Sequence, residues 1–418
     1  MPNNWKTYKL SELTDVITKG TTPSTYGFGF TDDGINFIKS ESTNYDGRLD
    51  ESSFVKVSEE AHEKLKRSQL KENDILFSMA GAYLGKTGIV YKNHLPANTN
   101  QANGIIRVNP NKALPKFVSF LLRNPSLINY VNVSAGQSAQ PNINLTDIGN
   151  LDFKLPPIEE QKSIAEILST IDDKIENNLA INKTLEEMAM ALYKHWFVDF
   201  GPFQNGEFVA SELGSIPKGW EVKRLDEIIT VKRGGSPRPI QDFLAPSGLP
   251  WVKISDATAS NSPYLMETKE FIKEEGLRKT VLLKKGSLIL SNSASPGIPK
   301  FLELDACIHD GWLHFPEINR FGKYLLFLTF LRIKEELIQK GNGSVFTNLK
   351  TDILKSQLVT LPPKEIEEKI NSQIKSFFKK IRENSIENQT LTQLRDTLLP
   401  KLISGEVRLK EFREAITN

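Results

Sequence analysis

The chain repeats itself, and this repetition constrains its fold more than any other feature of the sequence. Similar segments begin at Trp5 and Trp220, and each runs through an aliphatic stretch into a Gly-Ser/Thr-Pro turn beside Lys or Arg. Further matches follow in the same order, pairing Gly34–Glu41 with Gly248–Asp256, Leu70–Ala80 with Leu283–Ala294, and Leu155–Glu160 with Leu361–Ile366. Repeats of this kind predict one structural unit used twice. We therefore expect two units with a shared frame and different contents.

Each repeat has a β-rich first part and a helical second part. Short aliphatic runs such as Ile75–Phe77, Gly88–Tyr91 and Ser287–Leu290 are bounded by Gly, Pro, Asn and Asp, a pattern typical of strands. Helical patterns lie near Phe117–Leu122 and Tyr324–Gln339. The predicted fold class is α+β: two β-rich domains joined and separated by two long helices that form an antiparallel coiled coil with pseudo-twofold symmetry.

The repeat boundaries also predict the domain organisation. With 418 residues, the chain is too long for one ordinary core. We place a first β-rich domain at residues 1–155, a central helix at 156–200, a linker at 201–217, a second β-rich domain at 218–361, a C-terminal helix at 362–404 and a tail at 405–418.

The two helical segments carry residues at alternating steps of four and three, which is the spacing of a coiled-coil seam. The first seam consists of Ile164, Leu168, Ile171, Ile175, Asn178, Asn182, Leu185, Ala189, Leu192 and Trp196. The second consists of Ile370, Ile374, Phe377, Ile381, Asn384, Asn388, Leu391, Arg395, Leu398 and Leu402. In each seam the two middle positions are asparagine.

The asparagines indicate how the two helices pair. An antiparallel pair sets Asn178 against Asn388 and Asn182 against Asn384, so that each buried amide meets another. A parallel pair would match the asparagines as well, so they do not decide the orientation. A slip in register would strand these amides among aliphatic side chains, so the four asparagines are expected to fix the register.

The antiparallel alignment also balances the volumes of the other layers better than a parallel one. It places the small Ala189 opposite the large Phe377. It also places Arg395 opposite Ile171, a mismatch from which we expect the arginine to extend toward solvent.

The length of the helices suggests a role for the pair. Each would be about 57 Å long, which exceeds the roughly 34–36 Å of one turn of duplex DNA. A strut of that length with similar domains at its ends would contact two separated sites on one duplex. A pseudo-twofold axis would present those sites in inverted sense.

Three motifs carry a resemblance to a known family. They are Leu155–Ala165, which opens the first helix, Ala191–Phe203, which ends it, and Leu394–Val407 in the second helix and tail. Together with the repeated Trp-led domain, they resemble the specificity subunits of type I restriction–modification systems along essentially the whole chain. The resemblance implies two target-recognition domains, each reading one half of a bipartite DNA site, and a helical spacer whose length sets the gap between the halves.

The same resemblance implies partners and leaves the chain without catalysis. Double-stranded DNA, two modification subunits and restriction subunits would bind it. The modification subunits would methylate adenine with S-adenosylmethionine, and ATP and Mg²⁺ would also belong to partners, so this chain needs no cofactor. Two other functions stay open: an adaptor that spaces two protein-binding domains, and an enzyme whose catalytic residues the sequence does not reveal.

The composition limits the alternatives. A single cysteine, Cys307, excludes an intrachain disulfide framework and a cysteine-rich zinc site. No run of about 18 apolar residues or apolar leader is present, so we expect a cytoplasmic protein without a membrane contact. The net charge of +2 neither supports nor excludes DNA binding. Gly81–Thr87 is one residue short of a phosphate loop, and no metal or nucleophile motif replaces it.

Polar and basic residues beside glycines are the candidate DNA contacts, since glycine lets the backbone approach a phosphate. In the first domain they are Lys19, Thr21, Thr22, Ser24, Lys39, Ser40, Tyr83, Lys86, Asn100, Gln101, Gln137 and Gln140. In the second they are Lys232, Arg233, Ser236, Arg238, Lys253, Ser255, Asn292, Ser293, Ser295, Asn342, Ser344 and Asn348. Arginine would read guanine, and Asn or Gln would read adenine. Each cluster is equally compatible with an ordinary turn.

The aromatic segment His195–Phe200 has two interpretations. It packs against the base of a recognition domain, or it forms a patch that contacts a modification subunit.

Overall fold

The computed structural model describes residues 4–135, 142–341 and 349–408. The chain divides into two compact units, Met1–Lys174 with Leu391–Asn418 and Ile175–Thr390. Two long helices, α5 (Ile158–Phe197) and α10 (Lys364–Ser404), each contribute residues to both units.

The β-rich part of the first unit is built from three small sheets. Its strands are β1 Lys6–Lys9, β2 Thr14–Lys19, β3 Ile35–Ile38, β4 Val55–Val57, β5 Ile75–Ser78, β6 Thr87–Ile89, β7 Ala97–Thr99, β8 Asn103–Val108 and β9 Asp152–Leu155. The shorter helices are α1 Glu59–Lys64, α2 Pro115–Leu122, α3 Pro125–Ala135 and α4 Leu145–Gly149. The sheet orders are β2-β8-β5-β6, β4-β3-β7 and β1-β9. Strand β5 is buried along its whole length, so it reads as a continuous apolar run instead of an alternating one.

The second unit repeats this plan with larger sheets. Its strands are β10 Phe208–Ser211, β11 Gly214–Pro217, β12 Glu221–Arg224, β13 Lys232–Arg233, β14 Leu244–Ala245, β15 Leu249–Val252, β16 Tyr264–Leu265, β17 Glu270–Ile272, β18 Val281–Leu283, β19 Leu288–Ser291, β20 Pro299–Leu302, β21 Ala306–Ile308, β22 Trp312–His314 and β23 Leu358–Leu361. The shorter helices are α6 Leu225–Ile228, α7 Ile254–Thr258, α8 Gly322–Gly341 and α9 Thr351–Lys355. The sheet orders are β13-β22-β19-β20-β16, β14-β17-β15-β21-β18, β12-β23 and β10-β11. The predicted strands and helices correspond to β5, β6, β19, α2 and α8, with small shifts at their ends.

Each long helix begins directly after a Leu-Pro-Pro motif and holds its domain through one side chain in the first turns. In the first unit the side-chain oxygen of Gln161 accepts a hydrogen bond from the Leu114 amide at 2.9 Å. In the second unit Glu367, at the corresponding position, accepts from the Phe321 amide at 2.6 Å and from Arg320 Nε at 2.9 Å. An orphan donor at the start of α2 or α8 is satisfied in each case.

The antiparallel pairing of the helices is confirmed. In the second unit Asn178 Nδ2 donates to Asn388 Oδ1 at 2.9 Å, and Asn384 Nδ2 donates to Asn182 Oδ1 at 2.9 Å. Numbers rise along one helix as they fall along the other, which only an antiparallel pair allows. All four amides are buried, so each pair satisfies groups that would otherwise be costly to bury.

The seam departs from the predicted spacing toward the C-terminal end of α5. The buried side chains there are Tyr193 and Phe197 in place of Leu192 and Trp196, and in α10 Phe378 is fully buried whereas Phe377 is only partly buried. A helix of 3.6 residues per turn drifts away from a strict heptad. Packing against the domain favours the helix face that carries Tyr193 and Phe197, since the Tyr193 hydroxyl lies 3.0 Å from Thr329 Oγ1 of α8.

The aromatic segment at the end of α5 packs into the core of the second unit. The ring of Phe197 lies 5.6 Å from Trp220 and 5.2 Å from Phe321, centroid to centroid, with edge-to-face geometry. These contacts support the first of the two interpretations of the His195–Phe200 segment, packing against a domain.

The expectation that Arg395 extends toward solvent is wrong. In the first unit its guanidinium is buried and Nη1 lies 3.2 Å from Asp172 Oδ1. The same carboxylate accepts a hydrogen bond from Arg123 Nη1 at 2.8 Å. The arginine turns toward a carboxylate one residue from the seam because a buried charge needs a partner more than a long side chain needs water.

Candidate nucleic-acid interface

In the first unit two loops meet beyond the ends of β2 and β7, and we call residues 20–22 and 100–102 the paired loops of the first unit. The Gly20 amide donates to the Asn103 carbonyl at 3.2 Å, and the Thr21 amide donates to the Thr99 carbonyl at 3.0 Å. The Thr22 hydroxyl donates to the side-chain oxygen of Gln101. The structure therefore brings together Thr21, Thr22 and Gln101, three of the predicted contact residues.

In the second unit the same arrangement occurs beyond β13 and β21, and we call residues 234–238 and 309–311 the paired loops of the second unit. The Gly234 amide donates to the Trp312 carbonyl at 2.9 Å, and the Gly235 amide donates to the Ile308 carbonyl at 3.2 Å. The Ser236 hydroxyl donates to Asp310 Oδ1 at 2.6 Å. The paired loops thus repeat the hydrogen-bonding pattern of the first unit bond for bond.

Glycine is required where the two loops touch. A Cβ on Gly20 would lie 2.1 Å from the Thr99 carbonyl oxygen, and a Cβ on Gly234 would lie 2.2 Å from the His309 carbonyl oxygen. No side chain fits against a backbone oxygen at that distance. The glycines that the sequence pattern singled out are therefore needed for this close approach.

The arginines of the second unit converge on one residue, Asp310. Arg233 Nε donates to its backbone carbonyl at 2.5 Å, and Arg238 Nη2 lies 3.1 Å from Oδ2. The Ser236 hydroxyl bond holds the pKa of Asp310 below its usual range, so this carboxylate is ionised at neutral pH. The neighbouring His309 has its pKa lowered by burial, which favours the neutral ring. Both residues were missed as interface candidates, and only their place in the fold identifies them.

The remaining candidates of the first unit have mixed surroundings. Lys86 Nζ lies 4.7 Å from the centroid of the Tyr83 ring and 5.3 Å from that of Tyr45. Lys39 forms an ion pair with Glu41 at 2.5 Å, and Ser40 is buried at the start of a short turn. Lys19 and Ser24 are exposed, and Asn100 is half-buried.

The remaining candidates of the second unit divide in the same way. Asn292 is buried and braces the paired loops, because its backbone N–H donates to the Gly311 carbonyl at 2.8 Å. Lys253 forms an ion pair with Glu270 at 2.6 Å. Lys232 and Ser255 are exposed, while Ser293 and Ser295 are half-buried. Gln137, Gln140, Asn342, Ser344 and Asn348 lie outside the described residues.

A basic segment beside the paired loops of the first unit was also missed. Arg67 Nη2 donates to Thr21 Oγ1 at 3.1 Å, and Lys64 and Lys66 are exposed next to it. A surface cavity of about 610 Å³ lies between this segment and Thr21, Thr25 and Tyr26. The signal was the Lys-Leu-Lys-Arg run at residues 64–67, since clustered positive charge favours phosphate.

Across residues 4–135, 142–341 and 349–408, no group of three His, Cys, Asp or Glu side chains is arranged to hold a metal ion. Among the helices described, none has the length and apolar character needed to cross a membrane.

Comparisons with known proteins agree with this arrangement. A family model described as the type I restriction modification DNA specificity domain matches residues 2–187 and 217–395. The MjaIX specificity subunit of Methanocaldococcus jannaschii is 28% identical over 425 residues, covering 99% of this chain and 95% of that protein. The HindI specificity subunit of Haemophilus influenzae is 25% identical over 371 residues, covering 72% and 80%. A type I restriction–modification S subunit from M. genitalium shares the fold at 17% identity, with a TM-score of 0.59 and coverage of 96% and 97%.

Two α+β units with repeated loop geometry, carried on shared antiparallel helices, define a modular recognition subunit. The chain belongs to the type I restriction–modification DNA specificity family. Members of this family are non-catalytic, and the catalysis of the restriction system lies in their partner subunits. The resemblance found in the sequence is thereby confirmed.

Proposed function

We propose that this chain reads a bipartite DNA site, with one recognition domain (residues 1–155 or 218–361) for each half. The observation that carries the proposal is the repetition of the paired loops. Two sequences that differ in most side chains keep the same backbone hydrogen bonds and a glycine at the same position, Gly20 in one unit and Gly234 in the other. A conserved frame with exchangeable side chains is what a module needs to read different base sequences.

Within this proposal the exposed cations and amides of the loops have separate roles. Lys19, Arg67, Lys232 and Arg233 would contact phosphates, which position the protein on the duplex without reading it. Gln101 in the first unit and Arg238 in the second would read bases, adenine and guanine respectively. The other exposed candidates that the structure describes, such as Ser24 and Ser255, stay part of the proposal as further DNA contacts.

The long helices would act as the spacer. Their paired asparagines, Asn178 with Asn388 and Asn182 with Asn384, would fix the register and hence the number of unread base pairs between the half-sites. Two modification subunits that methylate adenine with S-adenosylmethionine, and restriction subunits that use ATP and Mg²⁺, would bind this chain. No cofactor would bind to the chain itself.

The test is a selection from a random duplex pool with the full chain and the modification subunit encoded beside it. We expect enrichment of a two-part motif with a fixed gap. A variant with one heptad inserted into both helices should change the gap and keep both half-sites. An exchange of residues 1–155 for another recognition domain should change one half-site only. Uniform enrichment of all sequences would contradict the proposal.

A further inference from the structure

The two sets of paired loops differ at one central position. In the first unit the position is Gln101, whose side-chain oxygen accepts from Thr22. In the second unit it is Asp310, whose carboxylate accepts from Ser236 at 2.6 Å and from Arg238 at 3.1 Å. The same frame is therefore built around a neutral amide in one unit and around a negative charge in the other.

We infer that Asp310 is a specificity-determining residue. Its carboxylate lies where a DNA phosphate would otherwise bind Arg238 in the second unit's paired loops. It therefore weakens binding to DNA that offers Arg238 only a phosphate. This inference rests on the proposed function. The carboxylate also accepts from Ser236 and so helps to hold the paired loops. The role assigned here belongs to its charge, which Asp310→Asn removes while keeping an oxygen that accepts the Ser236 bond.

The geometry around Arg238 supports competition with DNA. The Arg238 side chain is 80% exposed and meets the carboxylate through one nitrogen, Nη2, at the protein surface. A guanidinium bonds a carboxylate, a phosphate or the O6 and N7 atoms of guanine with the same pair of donors. A two-point bond from Arg238 to DNA that uses Nη2 therefore competes with the carboxylate of Asp310. The Asp310 side chain is itself 40% exposed, so its charge acts directly on an approaching phosphate.

The consequence differs between the two kinds of DNA. A non-specific duplex offers phosphates, which the carboxylate repels, so its affinity is lowered. A duplex with the correct base also offers Arg238 a two-point hydrogen bond, which offsets the bond lost from Asp310. The charge thus lowers non-specific binding more than specific binding, which is how a repulsive element raises discrimination.

The experiment compares two duplexes, one carrying the selected two-part motif and one with the same bases scrambled. The full chain with its modification subunit is titrated at several salt concentrations. For Asp310→Asn we expect the affinity for the scrambled duplex to rise about three- to tenfold and the ratio of specific to non-specific affinity to fall. The slope of log affinity against log salt should steepen by about one for the scrambled duplex.

The first unit provides the reciprocal variant. Gln101→Glu places a carboxylate at the corresponding position, so the scrambled-duplex affinity should fall about three- to tenfold. Because Gln101 also reads a base in the proposed function, motif binding falls as well, and only the scrambled duplex is scored for this variant. Asp305→Asn is the matched control, since it removes the same charge from an exposed ion pair with Lys284 in the second unit and should leave the ratio unchanged.

The possible results distinguish a failure of the proposed function from a failure of the inference about Asp310. If the unmodified complex does not prefer the motif duplex, the proposed function fails and the inference fails with it. If the preference is present but Asp310→Asn weakens motif binding and leaves scrambled binding unchanged, Asp310 orients Arg238 and the inference alone is overturned. An unchanged ratio in Asp310→Asn together with an unchanged scrambled-duplex affinity in Gln101→Glu would overturn it as well.

Discussion

The two units share a backbone plan, but two corresponding side chains are neutral in the first unit and negatively charged in the second. At the start of the long helices, neutral Gln161 in the first unit corresponds to charged Glu367 in the second, and each accepts a backbone amide of its own domain. At the paired loops, neutral Gln101 corresponds to charged Asp310. The hydrogen bonds stay the same in both comparisons. The frame is therefore determined by the position of donors and acceptors, and the charge is free to vary.

On the helix surface where each domain packs, the order is reversed: the first unit has charged side chains and the second has apolar ones. The first unit places Asp172 and Arg395 at this surface, with Arg123 from its domain. The second unit has Phe378 and Ala189 at the corresponding positions, both fully buried. The domain of the first unit thus packs on the helices through an ion cluster, and the domain of the second unit packs through apolar side chains. The difference predicts that the two units respond differently to substitution.

The largest expected effect is that of Asp172→Ala in the first unit. The substitution leaves Arg123 and Arg395 buried without their shared carboxylate, and breaking a buried charge cluster costs about 3–5 kcal/mol. Phe378→Ala in the second unit should cost a similar amount, about 3–5 kcal/mol, by opening a cavity. Urea denaturation of each variant measures the change in unfolding free energy.

A second variant of the first unit separates the two mechanisms. Replacing the whole cluster, Arg123→Met with Asp172→Leu and Arg395→Met, imitates the apolar solution of the second unit and should return to within about 1 kcal/mol of the original stability. A triple variant less stable than Asp172→Ala alone would show that the cluster contributes more than the pairing of its own charges.

The glycines of the paired loops should give the next largest effect, and an equal one in both units. Gly20→Ala and Gly234→Ala force a backbone carbonyl to move, because the new Cβ would lie 2.1 or 2.2 Å from it. Each should lower the unfolding free energy by about 1–3 kcal/mol. Gly29→Ala is the control, since nothing lies within 4 Å of its Cβ position. If Gly20→Ala is destabilising and Gly234→Ala matches the control, the shared frame is not equally tight in the two units.

The sequence predicts the parts of this fold that depend on short-range pattern. The repeat predicts the two units. The asparagine spacing predicts the register of the helices, and the volumes of the other layers predict their antiparallel orientation, because both patterns recur in fixed steps along the chain. Arg395 was misjudged because its partner Asp172 lies one residue off the seam and far away in sequence.

The site was harder to predict than the fold for the same physical reason. The turn containing Ser236 and Arg238 is visible in the sequence, whereas Asp310 joins it only when β13 and β22 pair. Asn292, which the sequence pattern predicts as a DNA contact, is buried, and its backbone amide braces the paired loops. Close approach of distant loops decides which polar residues reach the surface, and a single sequence does not encode that approach in any local pattern.

The smallest expected effect concerns Glu186 of α5, which has Thr392 as its counterpart in the first unit. Burial raises the pKa of Glu186 to about 7, and the nearby charge of Lys300 opposes this rise. The folded state then holds a proton that the unfolded chain releases above its ordinary pKa of 4.5, so stability falls as the pH rises from there to about 7.

Because Glu186 is partly exposed, solvent screening reduces the effect to about 1 kcal/mol. Urea denaturation at about pH 5 and pH 7 should show this loss for the unmodified chain and not for Glu186→Gln. Glu187→Gln, a change at the exposed carboxylate next to it, should keep the loss. An equal loss in the Glu186→Gln chain would assign the pH dependence to other groups and remove this difference between the units. A loss confined to chains that retain Glu186 would show that titration, like charge, is a property of one unit's side chains and not of the shared frame.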